Sequence, residues 1–247
     1  ASMLAAAGRD VEALACGTHW PTYEPAARAL AAAHQTACPL HNHCSGKHAG
    51  LICLARDQGV DPTGYIDPSH EIQRRVTDVL AAMTGTPHTD ANRGTDGCSM
   101  PTYAVPLKAL AYGFARFGSG VGLSAGRAGA AKRLREAVAA NPFMVAGTGR
   151  YDTTVMNNFE TRAFIKMGAE GVMIAALPEQ GLGFAIKTDD GANRAAEVSM
   201  SALLHHFGGE ALCRTPQDHA VLTDTARQTL RNWQGVTVGE IRAALTI

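Results

Sequence analysis

The chain has 247 residues, enough for one large domain or two small ones. Apolar residues make up 46% and charged ones 18%, which supports a sizeable buried core and excludes disorder as the main state. Lys+Arg and Asp+Glu both number 22, so no global field draws the chain to nucleic acid or an anionic membrane; the longest apolar runs fall far short of the ~20 residues that span a bilayer.

A first short helix is predicted over residues 3–7, and an alanine-rich one over 24–33 with Pro25 at its first turn. Residues 38–50 then gather three His, two Cys and a Lys. An apolar helix is expected over 48–56, closed by Gly59. Ser69 has the chemistry of an N-cap for the helical stripe Ile72, Val76, Val79, Leu80 and Met83. Residues 85–97 look like a polar loop. Leu107, Leu110, Ala111 and Phe114 form another helical stripe behind Pro106. The glycine-rich stretch 118–129 is expected to be a flexible connection. A helix over 130–140 is stopped by Asn141-Pro142.

Strands come late. Residues 172–177 and 183–187 flank Pro178-Glu179-Gln180-Gly181, a β-hairpin pattern. A third strand is needed for stability, and 235–242 is the candidate. Between them, Ala196, Met200, Leu203, Leu204 and Phe207 mark one helix face, ended by Gly208-Gly209. Together these elements predict a single α/β domain over 1–247, an antiparallel sheet with a helical layer.

Six cysteines are spread along the chain with no CxxC, which suits a reducing cytoplasm better than a disulfide-stapled fold. In Cys44-Ser45-Gly46-Lys47-His48 the thiol and the amine are three residues apart, so a helical turn puts them on one face. Gly94-Thr95-Asp96-Gly97-Cys98-Ser99 is a second small Cys-bearing turn. Two thiolates and a third donor suit Zn²⁺, although spacing alone also allows a buried Cys beside a solvated Lys, or a disulfide. Lys187, at a strand end before Thr188-Asp189-Asp190-Gly191, is either an edge-strand charge or a base aimed into a cleft. Arg150, behind Gly147 and Gly149, suits a substrate carboxylate or an ion pair with Asp152 or Glu160. Gly122-Leu123-Ser124-Ala125-Gly126 matches a nucleophile elbow in form but lacks the strand that should precede it. His205-His206 are expected as a solvated pair near a helix C-terminus.

The ordered set of these segments resembles a known family. The string 39–50, Pro-Leu-His-Asn-His-Cys-Ser-Gly-Lys-His-Ala-Gly, is similar to the central signature of the Rhizobium etli-type, or class 3, L-asparaginases of the asparaginase II family. Gly94–Cys98, the string Val-Ala-Gly-Thr-Gly-Arg at 145–150, Lys-Met-Gly-Ala-Glu-Gly at 166–171, Lys-Thr-Asp-Asp-Gly at 187–191 and Asn-Trp-Gln-Gly at 232–235 follow in order.

The resemblance implies a serine β-lactamase/glutaminase-like fold and a homodimer that cleaves L-asparagine to L-aspartate and ammonia. It implies zinc held by Cys44, Lys47 and Cys98, a metal water held by Asp96, and Lys187 as the near-neutral buried lysine of a Ser-Lys pair. Arg150 and His48 are expected to bind substrate. The family's Ser-x-x-Lys does not occur in these 247 residues, which implies a nucleophile-bearing segment ahead of Ala1. The alternatives are a non-catalytic metal-binding remnant, or a hydrolase of the same fold acting on another amide such as glutamine.

Overall fold

The computed structural model describes residues 1–244, arranged in two compact units: 1–82 with 86–105, and 83–85 with 106–247 insofar as they are described. Helices α1 (Ser2–Ala6), α2 (Glu24–Ala32), α3 (Ser45–Asp57) and α4 (Glu71–Thr84) precede a small antiparallel pair, β1 (Arg93–Thr95) and β2 (Pro101–Tyr103). Then follow α5 (Leu107–Ser119), α6 (Ala125–Ala140), α7 (Pro142–Ala146) and α8 (Tyr151–Phe159). Strands β3 (Phe164–Met167), β4 (Val172–Leu177) and β5 (Leu182–Lys187) lead to α9 (Asn193–Leu212) and α10 (Pro216–Ala226). The last elements are β6 (Arg227–Arg231) and β7 (Thr237–Arg242).

In the first unit the core gathers Leu4, Leu14, Cys16, Ile52, Tyr65, Cys98 and Met100. Helix α3 opens three residues earlier than its apolar pattern suggests, so Cys44 is its N-cap and Lys47 lies in its first turn. The cap of α4 also differs from expectation. His70 Nδ1 accepts from the Ile72 N–H (3.2 Å), whereas the Ser69 hydroxyl donates to Asp67 Oδ1 (2.6 Å). The segment expected as a plain polar loop contains a 3₁₀ turn at Asp90–Asn92 and then β1. Strands of three mostly exposed residues carry no hydrophobic alternation, which is why the sequence conceals them.

The second unit centres on the antiparallel sheet β3-β4-β5. Alternate residues of β4 face opposite sides. Met173, Ala175 and Leu177 join Val155, Phe159, Met200 and Leu204 in one core, while Ala176 lies against Gly118 of α5. Phe114 and Phe117 of α5 pack on Phe164 of β3, the first of them stacked at 5.9 Å. A strand covered on both faces needs no polar alternation, hence the continuous run Val-Met-Ile-Ala-Ala-Leu.

The hairpin β4–β5 matches the sequence reading, but its third strand is β3 and not 235–242. Residues 237–242 form β7, paired with β6 in a sheet of their own, and Asn232–Gly235 is the turn between them. The glycine-rich connection is shorter than 118–129: α5 reaches Ser119, and α6 starts at Ala125 with Ser124 as its N-cap. Helix α9 does not stop at Gly208-Gly209; it breaks there, with Gly209 at φ +50°, and resumes to Leu212.

Helix α5 approaches β5 so closely that a Cβ on Gly183 would overlap the Ala111 carbonyl oxygen and the Ala115 nitrogen. Both are backbone atoms that a rotamer change cannot move. Gly183→Ala is therefore expected to destabilise the second unit by about 3 kcal/mol, the upper end of the overpacking range. The measurement is a lower urea midpoint at unchanged slope.

Candidate metal centre and associated motifs

Asn42 sets the geometry of the first site. Its Nδ2 donates to the carbonyls of Cys16 (2.7 Å) and Gly17 (3.2 Å), and its Oδ1 accepts from the Cys44 N–H (2.8 Å). The side chain is buried, so these bonds hold the turn before α3 against the N-terminal segment. Cys44 then caps α3 and Lys47 projects one turn later, as the i, i+3 spacing predicts.

The partner turn is the tip of the β1–β2 hairpin. Asp96 N–H donates to the Met100 carbonyl (2.8 Å), and Ser99 N–H donates to the Asp96 carbonyl (2.8 Å). Ser99 takes a left-handed conformation, φ +71°, to close this tip. Cys98 is thereby turned inward and buried.

These two turns bring together Cys44 Sγ, Cys98 Sγ and a carboxylate oxygen of Asp96, all within 4.8 Å of one another. Lys47 Nζ lies 3.4 Å from Asp96 Oδ2, and Cys98 Sγ donates to the same oxygen at 3.2 Å. All six cysteines are free thiols, which removes the disulfide alternative. Two cysteine sulfurs and a carboxylate are donors of the kind a zinc ion accepts, and the Lys47 amine stands on the same carboxylate. The donors present are compatible with the metal; were it bound, Cys44, Lys47 and Cys98 would be the residues to hold it, with Asp96 beside them.

The electrostatics describe a protonated Cys44 thiol and Lys47 amine beside an ionised carboxylate. Burial pushes the Cys44 thiol up to about 11, with Lys47 opposing and Cys98 reinforcing the rise. For Lys47, burial alone favours the neutral amine. Cys98, Cys44 and Asp96 outweigh it and leave the amine above its ordinary value. Asp96 is held below the usual carboxylate range: burial opposes this, but bonds from Cys98, the Gly97 N–H and Lys47 prevail.

His48 departs from its expected role. Expected to bind substrate, it is fully buried beneath the turn, with Nδ1 at 2.5 Å from the Tyr65 hydroxyl. The Ala15 N–H donates to that hydroxyl at 2.9 Å, so Tyr65 ties the buried imidazole to the backbone of residue 15. Burial and the charge of Lys47 lower the imidazole to about 4, so it is neutral at physiological pH. Its Nε2 faces the Cys98 backbone without completing a hydrogen bond. Tyr65 and Asn42 were invisible as functional residues in the sequence. Asn42 carried only the signal of lying inside the histidine-rich string, and Tyr65 that of an aromatic with a polar tip in a turn-rich Asp-Pro-Thr-Gly stretch.

The motifs at 145–150, 166–171 and 187–191 belong to the second unit and meet there, while 232–235 is the β6–β7 turn. Lys187 ends β5, opposite Val172; it is exposed, and Nζ donates to the Thr188 carbonyl (2.6 Å). The expected buried lysine is therefore not what this unit displays. Thr188 N–H donates to the Gly171 carbonyl (3.1 Å), which ties 187–191 to 166–171. Gly171 has φ +68°, and a Cβ there would overlap Thr188 Oγ1, so only glycine permits this approach. Arg150, the N-cap residue of α8, forms no pair with Asp152 or Glu160 among the described contacts; Nη2 meets Met167 Sδ at 2.5 Å. Asp152 is buried and accepts the Met167 N–H at 2.5 Å. Glu197 is raised by burial, partly offset by Arg150. Tyr151 and Ser201 share a buried hydrogen bond of 2.6 Å. None of Tyr151, Glu197 or Ser201 stood out in the sequence.

No helix of the described residues is long and apolar enough to cross a membrane. No curated protein matches the chain at a significant level. The family profile described as L-asparaginase II, however, matches residues 1–243, spanning both Cys-bearing turns and every motif of the second unit, and the chain belongs to that family.

Proposed function

We propose that the protein is a class 3-type L-asparaginase, an amidohydrolase that releases ammonia and L-aspartate from L-asparagine on a β-lactamase-like scaffold. The observation that carries the reading is the meeting of Cys44, Cys98 and Asp96 from turns about fifty residues apart, with Lys47 on the same carboxylate. Family membership supports the reaction class.

Amide hydrolysis needs a nucleophile, a proton donor for the departing ammonia and stabilisation of the tetrahedral oxyanion. The proposal assigns the nucleophile to the serine of a Ser-x-x-Lys pair outside these 247 residues. Lys187 takes the serine proton and returns it to the leaving nitrogen. Arg150 is the candidate partner for a substrate carboxylate. Zinc, when bound, supplies positive charge that polarises the substrate and keeps a neighbouring amine neutral. Asp96 orients a polar group beside the two sulfurs through its free lone pairs. His48, neutral and walled in by Tyr65, holds the α3 turn in place.

The test is ammonia release by the complete protein, with L-asparagine and L-glutamine side by side. Release from asparagine supports the assignment; release from glutamine alone moves it to another amide of the same chemistry. The exposure of Lys187 favours a second reading, a metal-binding member without hydrolysis. Zinc retention with no ammonia from either amide would establish that one.

Zinc affinity is expected to fall with acidity. Cys44 and Lys47 both sit above their ordinary values, so each must shed a proton to bind, and the site is protonated through the neutral range. Each displaced proton weakens apparent affinity about tenfold per pH unit of acidification. Chelator competition at several pH values measures this slope. A flat profile between pH about 6 and about 8 would rule out thiolate and amine ligation. Cys44→Ala is expected to remove the zinc detected by elemental analysis at this centre.

A further inference from the structure

We propose that His205, Cys213 and His219 form a second transition-metal site in the second unit, a His₂Cys set suited to zinc with its fourth position open to solvent. One ring nitrogen each of His205 and His219 and the Cys213 Sγ lie within 4.8 Å of one another. The two ring nitrogens face each other directly at 3.0 Å. Tetrahedral zinc with Zn–N of about 2.0–2.1 Å and Zn–S of about 2.3 Å places its donors roughly 3.3–3.7 Å apart. Side-chain rotations of well under a turn convert one arrangement into the other.

The backbone makes this cluster possible. His205 and Cys213 are eight residues apart on what would otherwise be one helix. An unbroken α-helix would separate them by about 12 Å along its axis. The break at Gly209, φ +50° and ψ −150°, folds the last turn of α9 back instead, and Cys213 N–H donates to the Gly209 carbonyl at 2.8 Å. Gly208 serves the same end: a Cβ there would stand 2.5 Å from Leu212 Cδ2.

The third donor comes from the first turn of α10. Thr215 caps that helix through the Asp218 N–H, and the Asp218 carboxylate is fully engaged by Arg162, Asn158 and the N–H groups of Arg214 and Thr215. His219, the next residue, is thus offered from a fixed scaffold while its neighbouring carboxylate is occupied. Cys213 is buried, His205 half-buried and His219 exposed, which gives an ion one apolar wall and one entry side. The pair expected as a solvated helix-end cap thus splits: His205 turns to His219, and His206 packs edge-on to Phe207.

Binding balances simply. The Cys213 thiol proton leaves to solvent, and the proton shared between the facing imidazoles moves to the other nitrogen of its own ring. The competing explanation is a plain imidazole–imidazole hydrogen bond that ties α9 to α10.

Cobalt(II) titration separates the two. The full chain carrying Cys44→Ala and Cys98→Ala lacks the thiols of the first centre, so any thiolate-to-cobalt charge-transfer band must come from elsewhere. The expected result is one tetrahedral cobalt per chain with that band, displaced by zinc. His219→Ala in the same background should weaken binding by at least ~100-fold, and His205→Ala likewise, since even changes behind a ligand cost up to that much. Should the double cysteine variant fail to fold, elemental analysis of the otherwise unaltered protein serves instead. His219→Ala should then hold one zinc fewer per chain, with circular dichroism unchanged. Absence of the charge-transfer band, or a band and stoichiometry indifferent to both histidine substitutions, overturns the site. Neither outcome depends on asparagine hydrolysis.

Discussion

Lys187→Met is expected to lower ammonia release from L-asparagine by about 10²–10⁴-fold, the usual contribution of a positioned general acid–base. KM should change far less than kcat, because the amine acts on a proton and not on ground-state binding. Lys187 closes β5 opposite Val172, where Thr188 and Gly171 lock the strand end to the 166–171 loop. A side chain at that position has a fixed root and a free tip. Its Nζ meets the Thr188 carbonyl, a contact with solvent around it, so the substitution should move stability by no more than about 0.5 kcal/mol.

Lys187→Arg separates chemistry from charge. A guanidinium keeps the positive charge but cannot give up a proton, so the arginine variant should be as inactive as the methionine one. Wild-type turnover by Lys187→Met would remove Lys187 from the mechanism. An active arginine variant would reduce it to a charge that attracts substrate.

What the sequence exposed follows from which forces are local. The first centre was legible because its logic is one helical turn: Cys44 and Lys47 at i, i+3, then a compact Asp96–Cys98 turn. The β4–β5 hairpin was legible because two apolar runs flank a Pro-to-Gly turn. Strand β3 was hidden because Phe164–Met167 is short and its only strong cue, the Lys-Met-Gly string, suggested a motif instead of a strand. The role of His48 was hidden for another reason. Whether a histidine touches substrate or lies buried depends on Tyr65, seventeen residues away, and no local pattern reports that packing. Gly208-Gly209 was read as the end of the helix, whereas the helix only breaks there, because its return depends on where Leu212 and Cys213 find their core. Helices α8 and α10 escaped for a related reason: Tyr151–Phe159 carries polar residues that become buried only against the sheet and α10.

Removing one carboxylate should have the largest effect on stability. Asp218 is 3% exposed, and Arg162 reaches it at 3.0 and 3.4 Å. Asn158 donates at 2.7 Å, and the N–H groups of Arg214 and Thr215 donate at 2.9 and 3.1 Å. Arg162 in turn donates to the Leu212 and Asn158 carbonyls, so α8, the end of α9 and the start of α10 all converge on this group. Asp218→Ala strands a largely buried guanidinium and two capping N–H groups, and is expected to cost about 3–5 kcal/mol. Burial by itself would raise the Asp218 carboxyl, but Arg162, Arg214 N–H and Asn158 outweigh it and hold the group far below the usual carboxylate range. A depressed folded value means that the wild-type advantage is complete above the unfolded carboxyl's pKa of about 3.9 and shrinks as pH falls below it. Denaturant unfolding of both proteins across that range should show their midpoints far apart at neutral pH and converging in acid. A gap under ~1 kcal/mol at neutral pH, the worth of an exposed ion pair, would mean that this junction does not hold the three helices together.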